Sequence, residues 1–389
     1  MAVSREIVGV VGAGTMGAGI AQVCLQAGHE VLLHDVDHAA IERGRGRITD
    51  GLAKLVDKGR MTADAQATAL AGLRDAHALD EVAEGSDVII EAALEDLDLK
   101  RTIFRALGVS ARAGAILATN TSALSVSAVA QASGQAERVI GLHFFNPAPL
   151  MPLVEVVVGA ATAPDVVARS IAFAVALGKE PVVCSDSPGF IVNRINRPFT
   201  LEALRMLEAG EAGVEQIDRA VTSAGYPMGP FTLMDLVGID VNLAVAAAVW
   251  SAFDEAVRFE PSAIQRAMVA ADRLGRKSGA GFYRYAEGRV VGPSGAAEMS
   301  AQATVDDGAI VRRIELAIIN EAYLAAGEGV AQPPDIDRAM RLGANHPYGP
   351  FERASQLGLR AVIEGLRELE SRHGERFRVA PALWQIASI

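Results

Sequence analysis

A strand, a glycine-rich turn and a helix follow one another at the start of the chain, and this order restricts the fold more than any other feature. Ile7 to Val11 form a short apolar run, and an alanine-rich amphipathic stretch ends at Ala27. Between them lies a G-x-G-x-x-G motif, whose glycines admit a pyrophosphate to the helix N-terminus in Rossmann-type folds. We therefore predict a dinucleotide-binding domain with cofactor contacts at Gly12, Gly14, Thr15, Met16 and Gly17.

An acidic residue at the end of the next predicted strand selects the dinucleotide. Gly28 ends the helix, Val31 to Leu33 form the strand, and Asp35 follows it. A carboxylate at this place accepts hydrogen bonds from the ribose hydroxyls. Asp37 is close by and no arginine follows directly, so a 2′-phosphate would be repelled. The sequence therefore predicts NAD rather than NADP.

A histidine and a glutamate twelve residues apart are the candidates for acid–base chemistry. His143 follows the apolar run from Val139 to Leu142, and Glu155 lies within the apolar run from Leu153 to Val158. A carboxylate buried there needs a donor, and an imidazole could supply it. Such a pair fixes the tautomer and raises the basicity of the histidine. A purely structural His–Glu contact fits these two residues alone equally well.

Further polar residues follow the predicted strands. Glu95, Asn120 and Ser122 come after strands at Asp87 to Ala92 and Ala115 to Ala118. Ligands of open parallel sheets bind beyond the carboxyl ends of the strands, where the nicotinamide is expected. Any one of these side chains could instead cap a loop. Their occurrence after successive strands, with His143 after the next, favours a shared site.

Two predicted helices interrupt the sheet, at 37–59 and from Thr62 to about Leu73, where Thr62 is a candidate N-cap. Lys54 and Lys58 are four residues apart and so share one helical face. A solvated face is the commoner explanation for such a pair.

The second half of the chain has helical periodicity from Ile191 onward and contains a duplication. At a constant offset, Ile336-Asp337-Arg338-Ala339 repeats Ile217-Asp218-Arg219-Ala220, and, one inserted residue later, Pro347-Tyr348-Gly349-Pro350-Phe351 repeats Pro227-Met228-Gly229-Pro230-Phe231. Asn193, which could cap the first long helix or reach a cleft, has Arg312 as its counterpart. We predict an α/β domain at 1–187, a helical domain at 188–285, a linker at 286–303 and a second, structural helical repeat at 304–389.

The composition and net charge of the chain argue against several classes of protein. The chain has 389 residues and a net charge of −11, with no basic stripe for nucleic acid. Its two cysteines, Cys24 and Cys184, lie in apolar segments without metal-ligand spacing. No apolar run approaches the ~20 residues of a membrane span, and the N-terminus has no secretory pattern. A cytoplasmic protein without metal, membrane or nucleic-acid partners is expected.

The chain resembles the 3-hydroxyacyl-CoA dehydrogenase family. The matching stretches are VGAGTMGAGIA, ATNTSALSV, GLHFFNPAPLMPLVEVV, DSPGFIVNR, GYPMGPFTLMDLVGID and GRKSGAGFYRY, and they extend over roughly Ile7 to Tyr285. The HFFNP and SPGFIVNR motifs separate this family from the L-gulonate dehydrogenases that resemble lens crystallins. The resemblance implies a Rossmann-type domain followed by two tandem all-α domains of the 6-phosphogluconate dehydrogenase C-terminal-like type.

The resemblance also implies roles for individual residues. His143 would be the catalytic base with Glu155 as its partner, while Ser122 and Asn193 would hold the substrate oxygen. The implied NAD contacts are Asp35, Glu95, Lys100, Ser122 and Asn146, to which its position adds Asn120. Lys58, with Lys54, would bind the phosphates of coenzyme A. A serine that the family often places near this lysine is Gly51 here, which leaves the contacts with coenzyme A open.

The expected reaction is the reversible, NAD-dependent oxidation of an L-3-hydroxyacyl-CoA in fatty-acid β-oxidation or related acyl-CoA metabolism. Oxidation of a free hydroxy acid on the same fold, or a non-catalytic crystallin-like NAD-binding protein, are the alternatives. In shorter relatives the helical domain forms a dimer interface. We therefore expect the second repeat to replace a partner subunit in a monomer, with a homodimer as the alternative.

Overall fold

The computed structural model describes residues 5–294 and 305–387. The chain divides into two compact units, Met1–Phe190 and Ile191–Ile389. The boundary coincides with the change to helical periodicity at Ile191 and lies three residues beyond the predicted end of the α/β domain at 187.

The first unit is built on one eight-stranded sheet in the order β3-β2-β1-β4-β5-β6-β7-β8. Strands β1 to β6 run parallel, β7 is antiparallel to β6, and β8 is parallel to β7. The strands are β1 (Ile7–Val11), β2 (Glu30–His34), β3 (Leu73–Ala76), β4 (Val88–Glu91), β5 (Ile116–Thr119), β6 (Val139–Phe144), β7 (Leu153–Val158) and β8 (Glu180–Ser185).

Seven helices accompany this sheet. They are α1 (Thr15–Gln26), α2 (His38–Asp57), α3 (Ala63–Ala71), α4 (Leu79–Gly85), α5 (Leu97–Ser110), α6 (Val126–Ser133) and α7 (Pro164–Ala176). The two predicted helices of the insert are α2 and α3, and Thr62 accepts a hydrogen bond from the backbone N–H of Ala65 as the predicted N-cap. The core consists of apolar strand residues packed against helices, among them Val10, Leu33 and Ile90.

The second unit contains the two helical repeats. Its helices are α8 (Val192–Ile195), α9 (Arg197–Glu208), α10 (Val214–Ser223), α11 (Pro230–Val237), α12 (Ile239–Ala252), α13 (Ala263–Ala270), α14 (Asp307–Gly327), α15 (Pro333–Gly343), α16 (Pro350–Leu357), α17 (Leu359–His373) and α18 (Pro381–Ala387). In both copies an aspartate at the equivalent position accepts hydrogen bonds from the N-terminus of a later helix. Asp218 accepts hydrogen bonds from the backbone N–H groups of Phe231 and Thr232 at the start of α11, and Asp337 does the same at the start of α16.

A β-hairpin follows the first repeat. Strands β9 (Tyr283–Ala286) and β10 (Arg289–Pro293) are antiparallel, and the two residues between them, Glu287 and Gly288, both have positive φ. This is the backbone of a type I′ turn. The first part of the segment predicted as a linker is therefore a hairpin, and 295–303 lie outside the described residues.

The two repeats pack against each other through reciprocal ion pairs. Arg194 Nε donates to Glu321 Oε1 at 2.7 Å, and its counterpart Arg313 donates from Nε to Glu202 Oε2 at 2.8 Å. Glu202 and Glu321 are themselves counterparts. Each repeat also contains a short 3-10 segment, Val257–Phe259 in the first and Glu375–Phe377 in the second. Each glutamate binds an arginine of the other copy's 3-10 segment: Arg376 Nε lies 3.1 Å from Glu202 Oε1, and Arg258 Nε lies 2.9 Å from Glu321 Oε2. The contacts are those of a twofold axis within one chain.

Within the described residues, no single helix is long and apolar enough to cross a membrane. Helices α11 and α12 reach that length only together, and they are bent by 101° at their junction.

Candidate active site

His143 and Glu155 are direct neighbours on adjacent strands. They are paired across the antiparallel strands β6 and β7, so their side chains leave the same face of the sheet. The Nδ1 atom of His143 lies 2.6 Å from Oε2 of Glu155, and both side chains are buried. A carboxylate accepts only, so His143 carries its proton on Nδ1 in this bond. Nε2 is then the ring nitrogen that can accept a proton.

Two phenylalanines pack on the imidazole. The ring centroids of Phe145 and His143 are 4.5 Å apart, and those of Phe190 and His143 are 5.7 Å apart. Phe190 is fully buried and has a φ of 51°, which is uncommon for a residue with a side chain. Backbone strain of this kind is retained where the surroundings fix a functional geometry. The imidazole is therefore held in orientation by its neighbours as well as by Glu155.

A buried lysine holds the loop between β6 and β7. Lys179 Nζ donates to the carbonyl oxygens of Ala148 at 2.7 Å and Met151 at 2.8 Å. Burial lowers the pKa of this ammonium group. The loop begins directly after β6 and contains the exposed Asn146, a predicted NAD contact, in a cis peptide bond with Pro147. Lys179 thereby ties the segment that joins His143 to Glu155 to the start of β8.

Glu95 organises the turn that carries Ser122. Its Oε1 accepts hydrogen bonds from the hydroxyl of Thr121 at 2.6 Å and from the backbone N–H of Ser122 at 2.7 Å. Beyond this turn, Asp186 accepts three hydrogen bonds at the start of α6, from the Ser125 hydroxyl and from the backbone N–H groups of Val126 and Ser127. The half-buried Ser122 thus lies on a turn that is fixed on both sides.

Two predicted cofactor residues make internal contacts. Lys100 is 1% exposed, and its ammonium binds Glu91 at 2.7 Å and Glu95 at 3.5 Å. Asn120 Oδ1 accepts a hydrogen bond from the backbone N–H of Phe144, beside His143. Through these bonds Lys100 neutralises the carboxylates at the end of β4, and Asn120 joins the ends of β5 and β6.

The three glycines of the fingerprint differ in their surroundings. Gly12 has a φ of +104°, and a Cβ there would lie 2.6 Å from the carbonyl oxygen of Ala92. At Gly17 a Cβ would lie 1.7 Å from the carbonyl oxygen of Gly12, whereas at Gly14 it would meet no atom within 4 Å. Gly12 and Gly17 are therefore required by the turn and by close packing of the helix. Gly14 leaves open space at the N-terminus of α1, as the approach of a pyrophosphate requires.

The remaining features of this end of the sheet also fit a dinucleotide. Gly14 is the N-cap of α1 and makes no side-chain cap bond, so the first N–H groups of the helix are not capped by a side chain. Asp35 is half-buried at the end of β2, and its Oδ2 accepts from the backbone N–H of Ala13 at 2.8 Å. Thr15 is exposed and Met16 half-buried in the first turn of α1. The residues present therefore suit NAD.

Helix α2 presents the predicted lysines to solvent. Lys54 is exposed in its last turn, and Lys58 is its exposed C-cap residue. Gly51 faces α1 instead, because a Cβ there would lie 2.1 Å from the Gln22 side-chain oxygen. A serine at this position would therefore point at α1, so its absence permits close packing of the two helices.

In the second unit, Asn193 is half-buried in α8, and its backbone carbonyl accepts a hydrogen bond from Arg197 Nε at 2.9 Å. Its counterpart Arg312 is exposed near the start of α14.

Sequence reasoning missed the residues that hold these side chains in place: Glu91, Lys179, Asp186 and Arg197. Glu91 could have been found, because a charged residue at the carboxyl end of an apolar strand of this sheet falls at the ligand-binding edge. The others are ordinary charged residues in the sequence, and only their burial and partners make them notable.

Comparison with known proteins supplies the family. A family model described as the NAD binding domain of 3-hydroxyacyl-CoA dehydrogenase matches residues 7–187, and the model of the C-terminal domain matches 189–285 and again 308–388. The chain belongs to the 3-hydroxyacyl-CoA dehydrogenase family. The second match of the C-terminal model is the duplicated repeat.

This 3-hydroxyacyl-CoA dehydrogenase has relatives of similar length and shorter ones that match its first two domains. A protein named 3-hydroxyadipyl-CoA dehydrogenase from Escherichia coli K12 is 38% identical over 471 aligned positions, which cover 100% of this chain and 98% of the relative. A 3-hydroxybutyryl-CoA dehydrogenase from Mycobacterium tuberculosis is 43% identical, over 72% of this chain and 98% of its own. The crystal structure of a 3-hydroxybutyryl-CoA dehydrogenase from E. coli K12 has a TM-score of 0.91 at 36% identity, covering 99% of both chains.

The predicted family, fold class and cofactor are confirmed by these findings. The chain is an NAD-dependent 3-hydroxyacyl-CoA dehydrogenase, as the family match and the named relatives of both lengths indicate. NAD, when bound, supplies the hydride acceptor.

Proposed function

We propose that His143 is the general base that takes the hydroxyl proton of an L-3-hydroxyacyl-CoA. The observation that carries this proposal is the buried 2.6 Å contact between His143 Nδ1 and Glu155 Oε2. It leaves Nε2 to receive the proton, and the adjacent carboxylate stabilises the imidazolium that results. In the reverse direction the same nitrogen returns the proton to the substrate oxygen.

Two side chains are assigned to the substrate oxygen. Ser122 lies on the turn held by Glu95, which favours a hydroxyl in a fixed position. Asn193 is assigned by the resemblance of DSPGFIVNR to the family motif, and the bond from Arg197 to its backbone supports a fixed orientation. These groups contribute orientation and hydrogen bonding to the developing oxyanion.

The cofactor assignments rest on the shape of the glycine loop. The backbone at Gly12, Gly14, Thr15, Met16 and Gly17 is assigned to the pyrophosphate, and Asp35 to the ribose hydroxyls. Glu95, Asn120, Ser122 and Asn146 are assigned to the nicotinamide end. Lys100 is assigned to this end as well, and its support is the pair of carboxylates that it holds, Glu91 and Glu95.

The thioester substrate is assigned to helix α2. Lys54 and Lys58 are exposed one turn apart, and a flexible ammonium suits a phosphate of coenzyme A. The names of two relatives suggest candidate acyl groups for this substrate. The relative of similar length is named for 3-hydroxyadipyl-CoA, and a shorter one is named for 3-hydroxybutyryl-CoA.

The test is a set of parallel assays. NADH oxidation is measured with acetoacetyl-CoA, then with free acetoacetate, and then with NADPH in place of NADH. The proposal expects turnover of the thioester with NADH, little turnover of the free acid, and weak use of NADPH. Lys58→Ala, with the exposed Lys277→Ala as the matched control, should raise the KM for the thioester alone. Equal use of the free acid would remove the assignment of coenzyme A contacts.

We further propose that the chain is a monomer in which the second repeat replaces a partner subunit. The support is the reciprocal binding of Arg194 to Glu321 and of Arg313 to Glu202. Removal of all residues after Gly288 should expose the apolar side of α9 that faces α14 and should produce a dimer or an aggregate. Light scattering on the intact and shortened chains measures this. An intact protein that dimerises through its first repeat would contradict the proposal.

A further inference from the structure

The second unit contains a buried arginine with no acidic partner, one helical turn after Asn193. Arg197 begins α9 and is 5% exposed. Its Nε donates to the carbonyl oxygen of Asn193 at 2.9 Å, and its Nη1 lies 3.5 Å from the carbonyl oxygen of Asn242. Across 5–294 and 305–387, no carboxylate forms an ion pair with it, and burial lowers its pKa to about 10. A buried cation that only carbonyl oxygens solvate is costly to a fold.

Two buried amide side chains, which bond each other, are linked to this arginine through the backbone of Asn242. Asn242 on α12 is bound through Oδ1 by Gln265 Nε2 at 2.7 Å. Gln265, on α13, is fully buried, and its Oε1 has no hydrogen-bond partner within the part of the chain that the structure describes. We call Arg197, Asn242 and Gln265 the polar triad. It contains a cation without a counter-ion and an amide oxygen without a donor.

The second repeat shows what the fold needs at these positions. By the offsets given above, the counterparts of Arg197 and Asn242 are Leu316 and Val362. Alignment of the two 3-10 segments through Phe259 and Phe377 makes Leu383 the counterpart of Gln265. All three residues are buried in one hydrophobic cluster. The counterpart of Asn193 is likewise changed, to Arg312. The copy without the substrate amide therefore fills the same positions with ordinary apolar packing. Because leucine and valine pack at these positions in the second repeat, packing alone does not require the polar triad of the first repeat.

We propose that Arg197 binds a carboxylate at the far end of the acyl chain, so that the preferred substrate is a dicarboxylic 3-hydroxyacyl-CoA. The inference rests on the proposed role of Asn193. A guanidinium can bind a carboxylate through two parallel N–H···O bonds, and the carboxylate would be the counter-ion that the polar triad lacks. The side chain of Arg197 reaches Asn193, since its Nε lies 2.9 Å from the Asn193 carbonyl oxygen. A substrate whose oxygen is bound at Asn193 can therefore meet Arg197 with a carboxylate a few carbons away, as in a six-carbon dicarboxylic acyl group, where it lies three carbons beyond the hydroxyl-bearing carbon.

The comparison of two substrates isolates the carboxylate. L-3-Hydroxyadipyl-CoA and L-3-hydroxyhexanoyl-CoA have acyl chains of equal length and differ in one terminal group. The intact protein should have a kcat/KM for the dicarboxylic substrate that is roughly 10- to 100-fold higher, the usual value of a hydrogen-bonded charge pair. Arg197→Leu, which introduces the residue found in the second repeat, should lose this preference through a raised KM for the dicarboxylic substrate. The bond to the Asn193 carbonyl is lost with either substrate, so the measurement is the ratio of the two kcat/KM values, which should fall to within a few-fold of one.

The matched control is Arg266→Leu, which removes an exposed arginine of the same repeat whose guanidinium lies 5.7 Å from the Trp250 ring centroid. It should leave both substrates unaffected. If Arg197→Leu does not fold, Gln265→Leu and the inhibition constants of adipyl-CoA and hexanoyl-CoA for the intact protein give the same comparison. Tighter inhibition by adipyl-CoA supports the inference.

Equal use of the two substrates by the intact protein would overturn the inference and leave the proposed function standing. An Arg197→Leu variant impaired equally with both substrates would also overturn it, because that result indicates a structural residue. Absence of NADH formation with either thioester would instead refute the proposed function.

Discussion

His143 and Glu155 occupy one register position of the strand pair β6–β7, so the hydrogen bond between them is set by backbone pairing. A shift by one residue would turn the two side chains to opposite faces of the sheet. The pair therefore depends on the register of the hairpin and on the loop that closes it.

The first prediction concerns the base. His143→Gln should lower kcat by roughly 10²- to 10⁴-fold, the usual contribution of a general base, while NAD affinity changes little. Steady-state kinetics and NADH fluorescence titration measure the two quantities. Glu155→Gln should lower kcat as well, because the imidazolium loses its carboxylate. Near-normal turnover of His143→Gln would exclude it from the mechanism.

The second prediction concerns cofactor choice. Asp35→Ser should weaken NAD binding and reduce the discrimination against NADP, because a carboxylate accepts the ribose hydroxyls and repels a 2′-phosphate. The ratio of kcat/KM for NAD to that for NADP is the measurement. Asp37→Ser is the control, since Asp37 is bound to Arg43 on the surface. An unchanged ratio in Asp35→Ser would place cofactor selection elsewhere.

The third prediction concerns the loop after β6. Lys179→Met removes the donor to Ala148 and Met151 and leaves two buried carbonyl oxygens without it, at a cost of about 1–3 kcal/mol. We expect a lower melting temperature together with a raised KM for NAD, because Asn146 lies on this loop. Lys179→Arg should recover part of both losses. A variant with lowered stability and unchanged KM would show that the lysine has no influence on the site.

The fourth prediction compares two equivalent glutamates. Burial opposes ionisation of both, but Glu202 has three arginines, Arg205, Arg313 and Arg376, which bring its pKa below the usual value. Glu321 has two, and the pKa of Glu321 is raised by burial. Leu324 stands where Arg205 stands in the first repeat. Glu202→Gln should therefore destabilise the protein at pH 7 by more than Glu321→Gln, with chemical denaturation as the measurement.

Because the pKa of Glu202 is lowered and that of Glu321 is raised, the contributions of the two carboxyl groups to stability should change with pH in opposite directions. A carboxyl group with a lowered pKa in the folded state stabilises above its unfolded pKa, and this stabilisation is lost as the pH falls through the folded value. The gap between the intact protein and Glu202→Gln should therefore narrow under acid conditions. A gap that is constant with pH would contradict this assignment.

The fifth prediction concerns a buried histidine between the repeats. His346 Nε2 lies 2.9 Å from Asn196 Oδ1, its ring packs on Tyr226, and burial lowers its pKa to about 3. Between pH 6.5 and pH 3 the unfolded chain binds a proton here that the folded chain does not. The free energy of unfolding should therefore decrease as the pH is lowered from 6.5 to 3, by up to about 1.4 kcal/mol per pH unit. His346→Tyr, the residue of the first repeat, should flatten the slope, and an unchanged slope would contradict the prediction.

The sequence predicted the long regular features well and the short ones poorly. Strands β1 and β7 have the predicted limits, Ile7–Val11 and Leu153–Val158, because continuous apolar runs mark strands buried on both faces. Strand β3 was missed and taken as the end of a helix. It is a four-residue strand at the edge of the sheet, and its central residues, Arg74 and Asp75, are charged. Edge strands are short and polar, so periodicity does not reveal them.

The candidate site shows a similar division. The pairing of His143 with Glu155 was predicted because a carboxylate within an apolar run needs a donor, and the register of β6 and β7 places the two residues opposite each other. The partner of Lys100 could not be predicted in this way. Glu91 is the fourth residue of its strand and Lys100 lies in the following helix, so their contact depends on how the helix packs on the sheet. Arg197 was missed because sequence pattern does not distinguish a buried arginine from an exposed one.

The reciprocal packing of the two repeats has a consequence for how their interface can change. In a symmetric dimer of identical chains every substitution appears twice, so a residue and its symmetry mate must both tolerate it. Here one gene encodes two distinct halves, and each can mutate alone. Asn196 of the first repeat bonds His346 of the second, whereas the equivalent positions are occupied by Glu315 and Tyr226, so no symmetric pair of identical subunits could contain this contact. After the duplication, the two sides of the interface could therefore acquire different residues. Because both sides lie on one chain, dilution does not separate them.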